Sequence, residues 1–217
     1  MTLTERLLNV ALFGAEWVLW LLIALSIVSV ALMIERLVFF RRTKIDPELL
    51  DDEVRGLLRR GELDAARARL ERHPGALEAG VLLAGLDRAA QGATAATSAM
   101  QRAKTRGRQR FRRNLSFLGT LGNNAPFIGL FGTVLGVIKA FHDLAAKRGQ
   151  GPEAVMGSLS EALIATAVGL LVAIPAVAAF NSFNGVVRRR VAQADALSQD
   201  LLAELADERG ARRAEAA

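Results

Sequence analysis

Apolar residues gather in three long runs along this chain, and polar residues fill the intervals between them. Trp17 to Ile34 is 18 residues without a charge, Leu115 to Ile138 is 24, and between Ala154 and Val187 the only charge is Glu161. With a helical rise of about 1.5 Å per residue, each run is long enough to cross a hydrocarbon core roughly 30 Å thick. The pattern predicts transmembrane helices over residues 16–36, 114–141 and 154–187. Residues 37–113 are rich in Ala, Leu, Glu and Arg, with Leu63, Ala66, Leu70 and then Leu77, Val81, Leu82, Leu86 at helical spacing. Gly61, Pro74-Gly75 and Gly92 interrupt them, so short packed helices are expected there. Leu3, Leu7, Val10 and Ala11 make residues 1–15 amphipathic, as suits a helix along the outer interface. Residues 142–153 read as an outer loop. Residues 188–217 continue a helical pattern through Leu197, Leu201 and Leu205 before an Arg/Ala/Glu end expected to fray. The fold class is an all-α integral membrane protein whose second and third spans continue as long cytoplasmic extensions.

Charge orients these spans. Of the 28 Lys and Arg, 24 lie in residues 36–113 and 188–217, while residues 139–153 carry three. Basic residues near span ends mark the cytoplasmic side. The N-terminus is therefore expected outside and the C-terminus inside, with Trp17 and Trp20 at the outer interface. Arg110, Arg112 and Arg113 before the second span, and Arg188, Arg189 and Arg190 after the third, are candidate anchors to anionic headgroups. A cleaved signal peptide is the rival reading of the first run, but Glu5, Arg6 and Glu16 precede it and the basic cluster lies behind it. The net charge of +6 on 217 residues would suit nucleic acid. With the basic runs fused to membrane helices, and Phe111 the single aromatic among them, that reading loses its force.

Conventional active-site chemistry has little material. There is no Cys, the two His are distant in sequence, and no phosphate-binding glycine motif occurs. Neither an enzyme activity nor a cofactor or metal is expected.

The spans differ in composition. The first is Leu, Ile and Val throughout, as suits contact with lipid. The second places Gly119, Gly122, Pro126, Gly129, Thr133, Gly136 and Ala140 at alternating steps of three and four. The third repeats the device with Ala162, Thr166, Gly169, Ala173 and Ala176. Small faces let helix backbones approach closely in a bilayer. Thr133 and Thr166 lie on those faces, where each hydroxyl could simply bond back to a carbonyl one turn earlier. Glu161 is a costly residue within hydrocarbon and so belongs in a bundle interior, a water path or the interface. Its depth stays open, because the third run is longer than the core is thick. Pro175 removes a backbone hydrogen bond from the same helix and is a place for a kink.

The run Ala125-Pro-Phe-Ile-Gly-Leu-Phe-Gly-Thr-Val-Leu-Gly136, followed by Glu161-Ala-Leu-Ile-Ala-Thr-Ala-Val-Gly-Leu-Leu-Val-Ala-Ile-Pro-Ala176 and Asn181, resembles the MotA/TolQ/ExbB proton-channel family, most closely its ExbB/TolQ-like branch. The motifs cover roughly residues 115–190, and the three-span pattern matches over nearly the whole chain. The Asn123-Asn124 pair is more polar than in many relatives and has no assigned role.

The resemblance implies a subunit of the bacterial inner membrane that forms a homo-oligomeric ring, typically a pentamer, around an ExbD/TolR-like dimer of single-span proteins. A TonB/TolA-like protein would be a further partner, with membrane lipids around the ring. Such a complex uses proton-motive force to drive TonB-dependent transport, Tol–Pal function or gliding-type motility. By motif match, Thr133, Glu161 and Thr166 are the channel-lining positions, and the aspartate that carries the proton belongs to the partner. Gly122, Pro126, Gly129, Gly136, Gly169, Ala173 and Pro175 are the helix-packing positions. Two other classes compete. A non-conducting scaffold would use the small faces for oligomerisation alone. A secondary transporter would need an internal repeat pair that three spans do not offer.

Overall fold

The structure, a computed structural model, describes residues 14–146 and 153–215, with side chains of 14–145 and 155–206. The expected interfacial helix of residues 1–15 lies almost wholly outside the described residues. Among the described residues seven helices follow in order: α1 (Glu16–Arg42), α2 (Pro47–Arg59), α3 (Leu63–Glu71), α4 (Leu77–Ala89), α5 (Ala93–Arg112), α6 (Leu115–Ala146) and α7 (Glu153–Glu215). Three of them are long and apolar enough to cross a membrane. The described residues are thus all-helical in class, with three candidate spans as a multi-pass membrane protein requires. Helix α6 continues to Ala146, into the residues expected as an outer loop, α7 begins at Glu153, and residues 147–152 lie outside the described ones. The third span and the tail are one helix of 63 residues that runs through the end expected to fray.

The chain divides into two compact units. The span unit comprises Met1–Glu35 and Asn114–Ser182; the second unit comprises Arg36–Arg113 and Phe183–Ala217.

In the span unit α1 contributes one narrow buried stripe, Val18, Leu22 and Ser29, while Trp20, Ile23, Ile27 and Ile34 are exposed. Val18 and Leu22 join Leu121, Ala125 and Leu135 of α6 and Val172 and Ala173 of α7 in one apolar cluster. Trp17 meets Phe131 edge-on, with ring centroids 6.1 Å apart.

The second unit is a small helical bundle. Asp46 caps α2, its side chain accepting from the N–H groups of Glu48 and Leu49, and Pro47 occupies the first turn, where its missing N–H costs nothing. Leu50, Val54 and Leu58, four residues apart, form the buried face of α2. The breaks before α3, α4 and α5 fall at Gly61, Gly75 and Gly92, with φ of 72°, 99° and 115°. Side chains rarely adopt such angles, so glycine sets these turns. Asn114, with φ of 63°, makes the corresponding break between α5 and α6. Rings of Phe39, Phe40, Phe111 and Phe183 pack together. Ion pairs Arg55–Asp200, Arg59–Glu204 and Lys104–Asp195 link α2 and α5 to the far half of α7.

Candidate functional site: a close-packed helix pair with flanking hydroxyls

The packing of α6 against α7 follows directly from glycine. A Cβ added at Gly129 would lie 2.7 Å from the Ala165 carbonyl oxygen and 3.0 Å from Thr166 Cα. One at Gly169 would lie 2.7 Å from the Ala125 carbonyl oxygen. These are backbone-to-backbone approaches that no side chain could occupy, and they recur along the pair. Gly136 meets Ala162 and the Ser158 carbonyl, Gly132 meets Ala165, Gly122 meets Val177 and Gly119 meets Phe180. The residue numbers rise on one helix as they fall on the other, so the helices run antiparallel.

The seam differs in one respect from the stripe read in the sequence. Its members on α6 are Gly119, Gly122, Ala125, Gly129, Gly132, Gly136 and Ala140, all buried, whereas Pro126 and Thr133 are half-buried beside it. Two small-residue stripes one position apart exist on this helix. The one carrying a glycine at 132 in place of a threonine permits the closer approach, and α7 packs there. On α7, Ala162, Ala165, Gly169, Ala173 and Ala176 are buried. Pro175, expected among the packing residues, is exposed on the single chain.

Thr133 and Thr166 are thereby brought to one level, each adjacent in sequence to a member of the Gly132–Ala165 contact. They behave differently. Thr133 Oγ1 donates to the Leu130 carbonyl at 2.6 Å, which is the back-bonding expected of a packing threonine. The Thr166 hydroxyl is buried and has no hydrogen-bond partner among the described residues. Glu161 is half-buried next to Ala162, on the seam side of α7. Asn124 donates its amide to the Thr120 carbonyl at 2.7 Å.

The six arginines expected at the headgroups divide. Arg112, Arg113, Arg188 and Arg189 are exposed. Arg110 is exposed too, but it donates to the Gly75 carbonyl at 3.0 Å and lies over the Phe39 ring. Arg190 corrects the expectation: it is 6% exposed, inside the second unit. Its Nη1 donates to the Thr43 carbonyl at 2.6 Å and lies 3.3 Å from the Glu78 carboxylate, itself 1% exposed. Three consecutive residues of a helix fan around more than half its circumference, so one arginine of the triplet has to face inward. Burial pushes the Glu78 carboxyl above its ordinary range, against the opposing pull of its own N–H and of Arg190. Sequence reasoning missed this pair. A signal was present, since Glu78 stands one turn before Val81 and Leu82 on the apolar face of α4.

The site is thus a pair of apolar spans packed backbone to backbone, with polar side chains bordering the seam, the construction of a helical membrane protein. Comparison with known proteins makes the class specific. Residues 57–196 match the model of the MotA/TolQ/ExbB proton channel family, and the chain belongs to that family, in its ExbB/TolQ-like branch. It is 43% identical over 103 residues to the biopolymer transport protein ExbB of Xanthomonas campestris pv. campestris strain B100, covering 48% of this chain and 41% of that protein. It is 44% identical over 86 residues to the Tol-Pal system protein TolQ of Pseudomonas aeruginosa, covering 40% of this chain and 37% of that protein. An ExbB of Neisseria gonorrhoeae is 43% identical over 93 residues, 43% of this chain and 42% of that protein. The aligned stretches span about two fifths of the length of these relatives.

Proposed function

We propose that this chain is the ring-forming subunit of a proton-driven motor in a bacterial inner membrane, working with an ExbD/TolR-like dimer at the ring centre. The observation that carries this reading is the asymmetry of the two threonines. A hydroxyl buried without a partner forgoes about 1–3 kcal/mol of hydrogen bonding, so a site that served packing alone would bond it back as Thr133 is bonded. The Thr166 oxygen is enclosed within the subunit, so a partner's protonatable carboxyl would meet it only once this half-buried side chain turns outward. Glu161, about 7.5 Å along the helix axis from Thr166, contributes charge and hydration at the same end of the seam. Threonine does not titrate in the working range, so the proton is carried by the partner while this chain supplies hydroxyls, field and a close-fitting wall.

The ring reading draws support from large exposed side chains on both seam helices. Phe127 is 68% exposed, Leu171 72% and Ile174 68%, an apolar surface that neighbouring copies and lipid would cover. In the membrane, the second unit with its basic side chains lies on the cytoplasmic side, with the N-terminus outside. The systems named by the relatives, biopolymer transport and Tol–Pal, are the candidate destinations of the work.

The test is proton flux in liposomes carrying the ring with its co-encoded single-span partner. Thr166→Val and Glu161→Gln should each lower flux at least tenfold while the complex still assembles. Full flux from Thr166→Val would overturn the role given to its hydroxyl, and flux no greater than that of protein-free liposomes, with or without the partner, would leave the scaffold reading in place.

A further inference from the structure

Along the second unit, α5 and α7 run antiparallel, and between them lies a cavity of about 450 Å³ lined by Arg108, Arg112, Asn184, Val187, Arg188 and Val191, among others. The register is fixed at one end, where Lys104 and Asp195 pair at 2.5 Å. One turn further along α5 comes Arg108 and another turn brings Arg112; Arg188 stands on α7 two turns before Asp195. None of these three arginines has an ion pair or a hydrogen bond among the described residues. Three guanidinium groups around one cavity repel one another unless an anion joins them, and guanidinium matches phosphate oxygens in a bidentate manner.

Two further features select the kind of phosphate. The wall between the arginines is apolar, made by Val187, Val191 and Ala192. A free phosphate ion would gain nothing from it, whereas the glycerol and first acyl carbons of a lipid would bury against it. The cavity also stands where a headgroup belongs by sequence. Arg112 precedes α6 by three residues, and Val187 is the last residue of the uncharged run of α7, so the site falls at the junction of apolar and basic segments. The Lys104–Asp195 pair closes the other end, its carboxylate repelling an anion that would slide deeper.

We infer that Arg108, Arg112 and Arg188, with the Asn184 amide, form a binding site for the phosphodiester headgroup of an anionic phospholipid, and that the doubly charged headgroup of cardiolipin occupies it in preference to a singly charged one. Each arginine one turn from its neighbour on α5 can take a separate phosphate, which a lipid with two phosphates satisfies at once. The bound lipid would brace α5 against α7 where both helices meet the membrane.

Native mass spectrometry of the intact oligomer, released from detergent with cardiolipin, phosphatidylglycerol or phosphatidylcholine added in defined amounts, tests this. Wild type should retain cardiolipin at collision energies that strip phosphatidylcholine. Arg108→Gln/Arg188→Gln should lose that retention by about tenfold in bound fraction, while Arg102→Gln, outside the cavity, should not. Thermal stability with cardiolipin serves as the second reading: a rise in Tm for wild type that is absent in the double variant. Equal retention of the three lipids, or an unaltered double variant, overturns the site. Protection of wild type by millimolar inorganic phosphate as complete as that by cardiolipin overturns the lipid assignment.

Discussion

Arg190 and Glu78 are both withdrawn from solvent, and this makes their pairing the sharpest place to test the physical account of the second unit. Replacing Arg190 by Met leaves a buried carboxylate and deprives the Thr43 carbonyl of its donor. Breaking a buried pair by removing one partner costs about 3–5 kcal/mol. The cost for Arg190→Met should fall at the lower end, because Glu78 already holds its proton more tightly than usual and can take one up. Glu78→Met should cost more, since guanidinium cannot lose its charge within the working range. The double variant Glu78→Met/Arg190→Met removes both charges and should lie within about 1 kcal/mol of wild type.

The sign of the pH dependence follows from the same shift. A carboxyl whose folded pKa is raised binds more protons folded than unfolded between the two pKa values, so stability falls as pH rises through that window and then levels off. For Arg190→Met the window opens at the ordinary value of 4.5 and widens upward, as the pull of Arg190 is gone. Lowering the pH from 7 to 5 should therefore restore part of its stability and leave Glu78→Met unchanged. Hydrogen exchange of amides in residues 77–89 and 187–201 of the intact complex reads this directly. About 3 kcal/mol corresponds to roughly 10²-fold faster opening. Equal exchange in the two single variants and the double, or an Arg190→Met variant indifferent to pH, would refute the reasoning.

Three other outcomes follow from the geometry. Gly129→Ala places a Cβ 2.7 Å from the Ala165 carbonyl oxygen and should cost about 1–3 kcal/mol, seen as a lowered Tm by Trp17 and Trp20 fluorescence. Gly185→Ala, whose new Cβ meets nothing within 4 Å beyond its own stretch of helix, should instead stabilise α7 by about 0.5–1 kcal/mol. Asp46→Ala removes the acceptor of two N–H groups at 3.1 and 3.3 Å and should cost about 1 kcal/mol, read as faster exchange in the first turn of α2.

The parts of this protein legible from sequence are those decided within one helix. Three apolar runs announce three long apolar helices, and Gly61, Gly75 and Gly92 announce breaks because a positive φ is a local requirement. Asp46-Pro47 carried an equally local signal, a cap followed by a first-turn proline, that apolar periodicity does not register. What stayed hidden was set by a second element. On α6 the stripe through Pro126 and Thr133 and the stripe through Ala125 and Gly132 are both small and lie one residue apart. Only the presence of α7 selects between them. Among Arg188, Arg189 and Arg190, sequence sees a basic cluster; the position of Glu78 on α4 and of the Thr43 carbonyl decides which one turns inward.

That one-residue offset decides what the two threonines touch. Were Thr133 and Thr166 themselves the contact, each methyl and hydroxyl would hold the backbones apart and both side chains would be filled by the opposite helix. With glycine at 129 and 132 taking the contact, the helices close on each other and the threonines are left on the flank of the seam, at one depth and on adjoining helices. Thr133 satisfies its donor within its own turn and is held in place by that bond. Thr166 does not, and its enclosed hydroxyl is left without an acceptor among the described residues. Tight packing and polar side chains are thus separated by a single residue step on each helix, and the glycines that bring the backbones together leave both threonines beside the contact rather than in it.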